Sequence, residues 1–469
     1  MRHCRVLALA AGALACASAP AAAQSADASG APAAPSGFWD RATLLGDIGG
    51  LRLALGAHGI TLSLSETSEV LGNVTGGVHR GAAYDGETTM SLSLDTAQAF
   101  GWTGGTLFIS ALQTHGRNLS ADNLDTLQTA SGIEAERTTR LWELWYDQAF
   151  LGGKLDVKLG QISADQEFMF SQYSALYVNT VMGWPSLPSA DLYAGGPAYP
   201  LSSLGVRVRA HANDAVTVLA GVFDDNPPGG AFSDDSQLRG REASGTAFNR
   251  NTGALWLAEV QYAVHQSPAE SCVRLSCGLP GIYKLGAWYD SGRFPDQHFG
   301  TDGLSLANPA SNGDPLMHRG DFSLYALADQ MVWRQAGGPR AVGVFARMIG
   351  APANQNLVTS SLNAGVNVTA PLPGRGKDTL GIGFGWTQVS PRAAALDRDT
   401  AGFSATAYPV RGSEEFIELT YQLQMAPWWI VQPDLQYVFN PGGGIPNPNN
   451  PSHVVGNELV LGVRTVVTF

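Results

Sequence analysis

From Ile60 onward the chain alternates apolar and polar residues with a period of two. Leu62 and Leu64 alternate with Thr61, Ser63 and Ser65, and Leu92 and Leu94 alternate with Ser91, Ser93 and Asp95. The pattern returns at Val206 and Val208 against Arg207 and Arg209. It returns again at Ile417, Leu419, Tyr421 and Leu423 against Glu418, Thr420, Gln422 and Gln424, and at Leu435 and Tyr437 against Asp434 and Gln436. Successive side chains of a strand point to opposite faces, so each run predicts a strand with one apolar and one polar face. The last run is the most regular: Leu459, Leu461, Val463, Thr465, Val467 and Phe469 share one face, and Glu458, Arg464 and Thr468 share the other. Charges at this density do not fit the dry inner face of a water-soluble sandwich. They fit a barrel with lipid outside and water inside. The expected fold is therefore all-β: a transmembrane antiparallel β-barrel over 59–469, closing on a strand that ends in Phe469.

Other segments frame this barrel. Arg2 and Arg5, the apolar stretch Val6–Ala17 and the small residues Ala21–Ala23 make 1–23 an export signal peptide, too short for a comfortable membrane helix. A lipid anchor on Cys16 does not match, because Leu14 stands one position away from where that motif wants it. Residues 24–58 form a lead-in: a segment rich in Ala, Ser, Pro and Gly up to 37, then a short helix over Trp39–Ala57 on the spacing of Leu44, Leu45, Ile48, Leu51 and Leu55. Turn-rich connections at Phe223–Gly230, Ala307–Pro315 and Pro441–Pro448 contrast with tight ones at Gly152-Gly153 and Gly337-Gly338, as expected of long outer loops and short periplasmic turns. Trp142, Trp288-Tyr289, Trp333 and Trp428-Trp429 are candidates for interfacial aromatic girdles.

Composition sharpens the picture. Charged residues make up 14% of the chain, against about 25% in an average soluble domain. Yet no later segment approaches the run of roughly 18 apolar residues that a membrane helix needs. The net charge of -12 becomes -14 once Arg2 and Arg5 leave with the signal, which argues against nucleic-acid partners. Cys4 and Cys16 leave too, so Cys272 and Cys277 remain, and an oxidising periplasm favours a local disulfide between them. A metal site would need further ligands that the sequence does not supply. Gly374-Arg-Gly-Lys377 lacks the first glycine and the Ser or Thr of a phosphate loop, and no nucleophile elbow or His-Glu-x-x-His motif is present. No catalytic, cofactor-binding or metal residues are assigned, although a barrel enzyme and an adhesive barrel stay open as alternatives.

Strand parity then places Glu143, Asp147, Arg207, Arg209, Arg347, Glu418, Gln422, Asp434, Gln436 and Arg464 on the polar side, as candidate pore-lining residues. The same side chains could instead satisfy one another inside the wall.

Ordered words along the chain carry a resemblance. Trp142-Glu-Leu-Trp-Tyr-Asp-Gln148 is followed by Gly153-Lys-Leu-Asp-Val-Lys-Leu-Gly-Gln161 and by Glu167-Phe168. Trp184-Pro185, Pro197-Ala-Tyr-Pro200, Gly205-Val-Arg-Val208 and Gly221-Val-Phe-Asp224 come next, then Glu418-Leu-Thr-Tyr421 and Gln432-Pro-Asp-Leu-Gln-Tyr437 with Pro441-Gly442-Gly443. In these words the chain resembles the carbohydrate-selective porins of the OprB family, from about Trp39 to Phe469. The resemblance implies a 16-stranded barrel in the Gram-negative outer membrane, with glucose and related sugars, water and ions as permeants. General diffusion of small solutes and ions is the alternative reading. It also implies a constriction of inward-folded loops and charged wall residues, with Glu143, Arg207 and Glu418 prominent and Trp145 as a stacking platform for sugar. Partners implied are outer-membrane lipid, the barrel-assembly machinery at the closing strand and, as an open option, further copies in a homo-oligomer. The Cys272–Cys277 segment, read as an outer loop, departs from the family pattern.

Overall fold

The computed structural model describes residues 37–232, 242–266, 278–404 and 407–469. The export signal, the first part of the lead-in, and Cys272 with Cys277 lie outside the described residues. In chain order the wall begins with β1 (Ile60–Thr75), β2 (Gly81–Asp95), β3 (Gly105–Gly116), β4 (Thr138–Phe150) and β5 (Leu155–Ile162). It continues through β6 (Ser203–His211), β7 (Val216–Asp224), β8 (Ala254–Val264), β9 (Gly281–Gly300) and β10 (Pro315–Arg334). Then come β11 (Ala341–Gly350), β12 (Val358–Thr369), β13 (Thr379–Val389), β14 (Ser413–Ala426) and β15 (Trp429–Phe439). A two-stranded hairpin, β16 (Pro446–Asn447) with β17 (Asn450–Val454), precedes the last strand, β18 (Glu458–Thr468). Among the described residues, β1–β15 and β18 close into one antiparallel barrel of sixteen strands. Closure is made by β18, which pairs with β15 and with β1, bringing Arg464 opposite Glu69 and Thr468 opposite Ser65. A closed wall leaves no unpaired strand edge, which the membrane interior would not tolerate.

The period-two pattern resolves into two surfaces. Leu285, Leu324 and Met348 are 68%, 63% and 58% exposed on the outside, whereas their neighbours Lys284, Ser323 and Arg347 are buried inside. The connections 117–137, 163–202, 225–253, 390–412 and 440–457 start and finish at the end opposite Phe469. The Phe469 end carries short turns at 151–154, 212–215 and 335–340. β8 ends and β9 begins at the Phe469 end, and the Cys272–Cys277 segment between them lies outside the described residues.

Two expectations change. The lead-in helix is confined to Leu51–Gly56, after a single turn at Phe38–Asp40. Gly46, Gly49 and Gly50 all hold positive φ, a conformation that ends a right-handed helix. This segment is tied to the seam: the Leu44 amide donates to Thr468 O at 2.8 Å, and Arg52 donates to Leu62 O at 2.7 Å and to Phe469. Trp142 and Trp288 are buried inside the barrel rather than set in a girdle. The exposed aromatic residues include Trp102, Phe150, Tyr262, Tyr283 and the expected Trp333 towards the Phe469 end, and Tyr84, Trp256, the expected Tyr289 and Phe322 towards the other.

Candidate functional site

The 40-residue connection from Ser163 to Ser202 is too long for a simple turn and folds into the lumen. On one side it packs by the hydrophobic effect. Phe168, Met169, Trp184, Leu187 and Leu192 meet inward residues Leu219, Leu257, Trp288, Tyr325 and Ile349 of β7–β11 in one buried cluster. On the other sides it is held by hydrogen bonds from wall side chains to loop backbone. Glu418 accepts the amides of Val178 at 2.6 Å and Asn179 at 3.3 Å. Arg347 donates to Met169 O and Gly183 O, each at 2.8 Å, and to Val181 O, Met182 O and the Asn363 side chain. Lys284 donates to Phe170 O at 2.7 Å, Glu259 accepts the Met169 amide at 3.0 Å, and Asp329 accepts the Gln172 amide at 2.9 Å. In the opposite sense, Asp191 of the loop accepts the Leu357 amide at 2.6 Å, and burial holds its carboxyl well above the ordinary carboxylate range.

A second inward connection, 117–137, is clamped in the same way. Glu414 accepts the amides of Leu127 at 2.9 Å and Gln128 at 2.8 Å, and also that of Gly442 at 2.6 Å. The two loops are joined to each other: Gly132 N donates to Val178 O at 2.9 Å, Thr180 N to Thr129 O at 3.1 Å, and the Tyr199 hydroxyl to Ile133 O at 3.1 Å. Between the loops and β18 lies a cavity of about 90 Å³. Asp165, Gln166, Phe170, Tyr177, Trp184, Tyr199 and Arg464 are among its lining. Aromatic faces here stand beside a carboxyl, an amide, hydroxyls and a guanidinium. Burial raises the Asp165 carboxyl, against the hydrogen bonds it accepts from Ser163 and Gln166.

The predicted lumen residues all face inward but do not converge on one site. Arg207 is 0% exposed and pairs with Asp147 at 3.1 Å, with Glu167 of the long loop at 2.9 Å, and with Asp156. Arg209 reaches Glu167 at 3.0 Å, and Lys158 pairs with it too. Three cations and three carboxylates thus neutralise one another along β4–β6. Trp145 stacks on Phe108 with ring centroids 4.8 Å apart, and the Lys158 ammonium lies 3.9 Å from its ring centre, so its faces are already in use. Glu143 accepts the Ser163 amide at 3.2 Å where the long loop begins. Gln436 donates to Ala130 O and Asp434 and accepts from Asn179, while Asp434 lies beside Glu418. Gln422 is half-buried farther down the same face of β14. Of these, only Arg464 reaches the cavity, next to its partner Glu69. The residues that line the cavity from the loops escaped the strand-parity argument, because 163–202 has no period of two. Its signals were an unusually long connection and a density of aromatic and polar residues.

A family model described as "Carbohydrate-selective porin, OprB family" matches residues 79–469. The chain belongs to that family. As an OprB-family member it is an outer-membrane sugar porin. Among curated relatives, Porin B of Pseudomonas aeruginosa is 25% identical over 454 residues, covering 93% of this chain and 92% of that one. Putative porin QuiX of Acinetobacter baylyi is 23% identical, covering 87% and 90%. Among solved structures, that of Pseudomonas putida OprB at high pH superimposes with a TM-score of 0.80 at 23% identity, covering 92% of this chain and all of that one, and supports the fold.

Proposed function

We propose that sugars cross by passive diffusion, without any reaction, by way of the cavity between the two joined loops and β18. Asp165, Gln166, Tyr177, Trp184, Tyr199 and Arg464 form its filter. The observation that carries this reading is the lining itself: aromatic faces next to donors and acceptors suit a neutral polyol, and a filter must bind weakly enough to release. Glu143, Arg347, Glu418, Asp434 and Gln436 act by holding the loops in place, and Arg207 by neutralising the wall. In the same reading an export signal brings the chain to the periplasm, the barrel-assembly machinery engages β18, and one barrel forms one pore, whether alone or beside further copies.

Planar-bilayer recordings test the route. Stable conductance that falls on adding glucose is expected, with the block weakened about tenfold in Trp184→Ala or Tyr199→Phe/Trp184→Ala. Unchanged block in both variants would remove these residues from the path.

A further inference from the structure

The outer wall of β6–β10 carries a hollow that the pore does not explain. Val208, Ala220, Ala258, Ala287 and Leu324 are register partners in one outward row across five strands, so three adjacent strands present only a methyl group. The next row towards the loop end is Val206, Val222, Trp256, Tyr289 and Phe322, with the three aromatic side chains about half-exposed. The row on the other side holds Val218, Val260 and Leu285. The alanine floor beneath the aromatic row makes an apolar recess, lined by these two rows and by Gly221, Leu257, Trp288 and Ser323 between them. Near Val206 and Val222 it continues into a second recess along Leu159 and Leu204 that ends at Asp224 and Arg250. Arg250 is exposed just before β8 begins, at the loop end of the barrel.

The depth and polarity of this furrow define its occupant. Ala220 is the middle residue of β7 and Ala258 stands beside the middle of β8, while the aromatic row and the second recess lie on their loop side, so the furrow runs from the middle of the wall into the half of the membrane nearest the long loops. In an outer-membrane porin that half is the outer leaflet, whose lipid is a multiply acylated, phosphorylated glycolipid. An acyl chain fits the alanine floor under the aromatic row, because the recess loses dispersion contacts if left empty. A phosphate at the membrane surface would lie near the Arg250 guanidinium and compete for it with the neighbouring Asp224 carboxylate. We infer that this furrow is a discrete site for the outer-leaflet glycolipid, with one acyl chain over Ala220, Ala258 and Ala287 and a phosphate at Arg250. The inference rests on the porin assignment only for its orientation in the membrane.

Native mass spectrometry of the full-length, detergent-purified porin tests it, with hexaacylated bisphosphorylated lipid A and phosphatidylglycerol as probes. One lipid A is expected to survive delipidating washes. Its occupancy should fall at least tenfold in Ala258→Trp, about tenfold in the milder Ala287→Leu, and several-fold in Arg250→Ala. Heat-modifiable migration on gels and unchanged single-channel conductance verify that each variant is folded, since the site lies outside the pore. Equal retention of lipid A by folded variants and wild type, equal retention of phosphatidylglycerol, or a self-association mass in place of the lipid adduct would each overturn the inference. Loss of sugar block alone would touch only the filter and leave this site standing.

Discussion

Arg207 and Arg464 have the same address in sequence terms, each an arginine on the polar face of a strand, yet the structure uses them differently. Arg207 sits under the long loop, surrounded by Asp147, Asp156 and Glu167, and has no exposure. Arg464, on the closing strand, pairs with Glu69 of β1 and also borders the cavity between the loops. The difference teaches that facing inward is not the same as facing the permeant. In this barrel much of the lumen is filled by loops, so an inward charge is either covered by that filling or left beside a cavity.

The largest effect should come from breaking the buried member of the pair. Arg207→Ala leaves three carboxylates without their central cation, and removing one partner of a buried ion pair costs about 3–5 kcal/mol. Urea unfolding in detergent should show that loss, while ion selectivity of the folded fraction stays near wild type. A large selectivity change with unchanged stability would place Arg207 in the path.

Releasing a loop clamp tests the anchoring role next. Glu418→Ala removes the acceptor of the Val178 and Asn179 amides, so single-channel conductance should become noisier and rise severalfold as the loop loosens. A conductance indistinguishable from wild type would show that the apolar dock on β7–β11 holds the loop unaided.

Arg464→Gln should act on permeation with a smaller energetic signature. The cation-to-anion permeability ratio, read from the reversal potential in a salt gradient, is expected to rise at least twofold, because Glu69 stays and the guanidinium goes. No shift would return Arg464 to the class of Arg207.

A pH dependence sharpens the contrast near Arg464. Glu134 of the first inward loop has its carboxyl pushed up to about 7, chiefly by burial, with Glu69 raising it further and the hydrogen bond from the Ser120 amide at 3.0 Å opposing. A folded value above the unfolded one means that protonation favours the folded loop. That contribution is complete below about pH 4.5 and fades as pH rises through 7. Loop protection from proteolysis should therefore be greater at pH 5 than at pH 8, and Glu134→Gln should flatten the difference. The smallest effect is expected of Gln422→Ala, on the same strand face as Glu418 but away from both loops, where block and conductance should stay within about 20% of wild type, as for an ordinary surface change.

Much of this architecture was legible in the residues alone. Alternation along Ile417–Gln424 and Leu459–Phe469 determined strands, their two faces and the lipid-facing outside, because a period of two leaves no other way to separate apolar from polar positions. Ordered words from Trp142 to Gly443 carried the family. The start of β1 at Ile60 is where the alternation begins. Tertiary structure alone decided which inward residues are covered. The loop 163–202 has no periodicity, so its path through the lumen depends on partners far away in the chain: Leu219 and Trp288 for its apolar side, Arg347, Glu414 and Glu418 for its backbone and that of its neighbour loop. The alanine hollow was likewise invisible, since Ala220, Ala258 and Ala287 become neighbours only through strand register. Local alternation is a property of one strand and can be read from it. Filling a lumen and flooring a furrow are properties of several strands at once, set by register and by where a long loop can bury its apolar side chains.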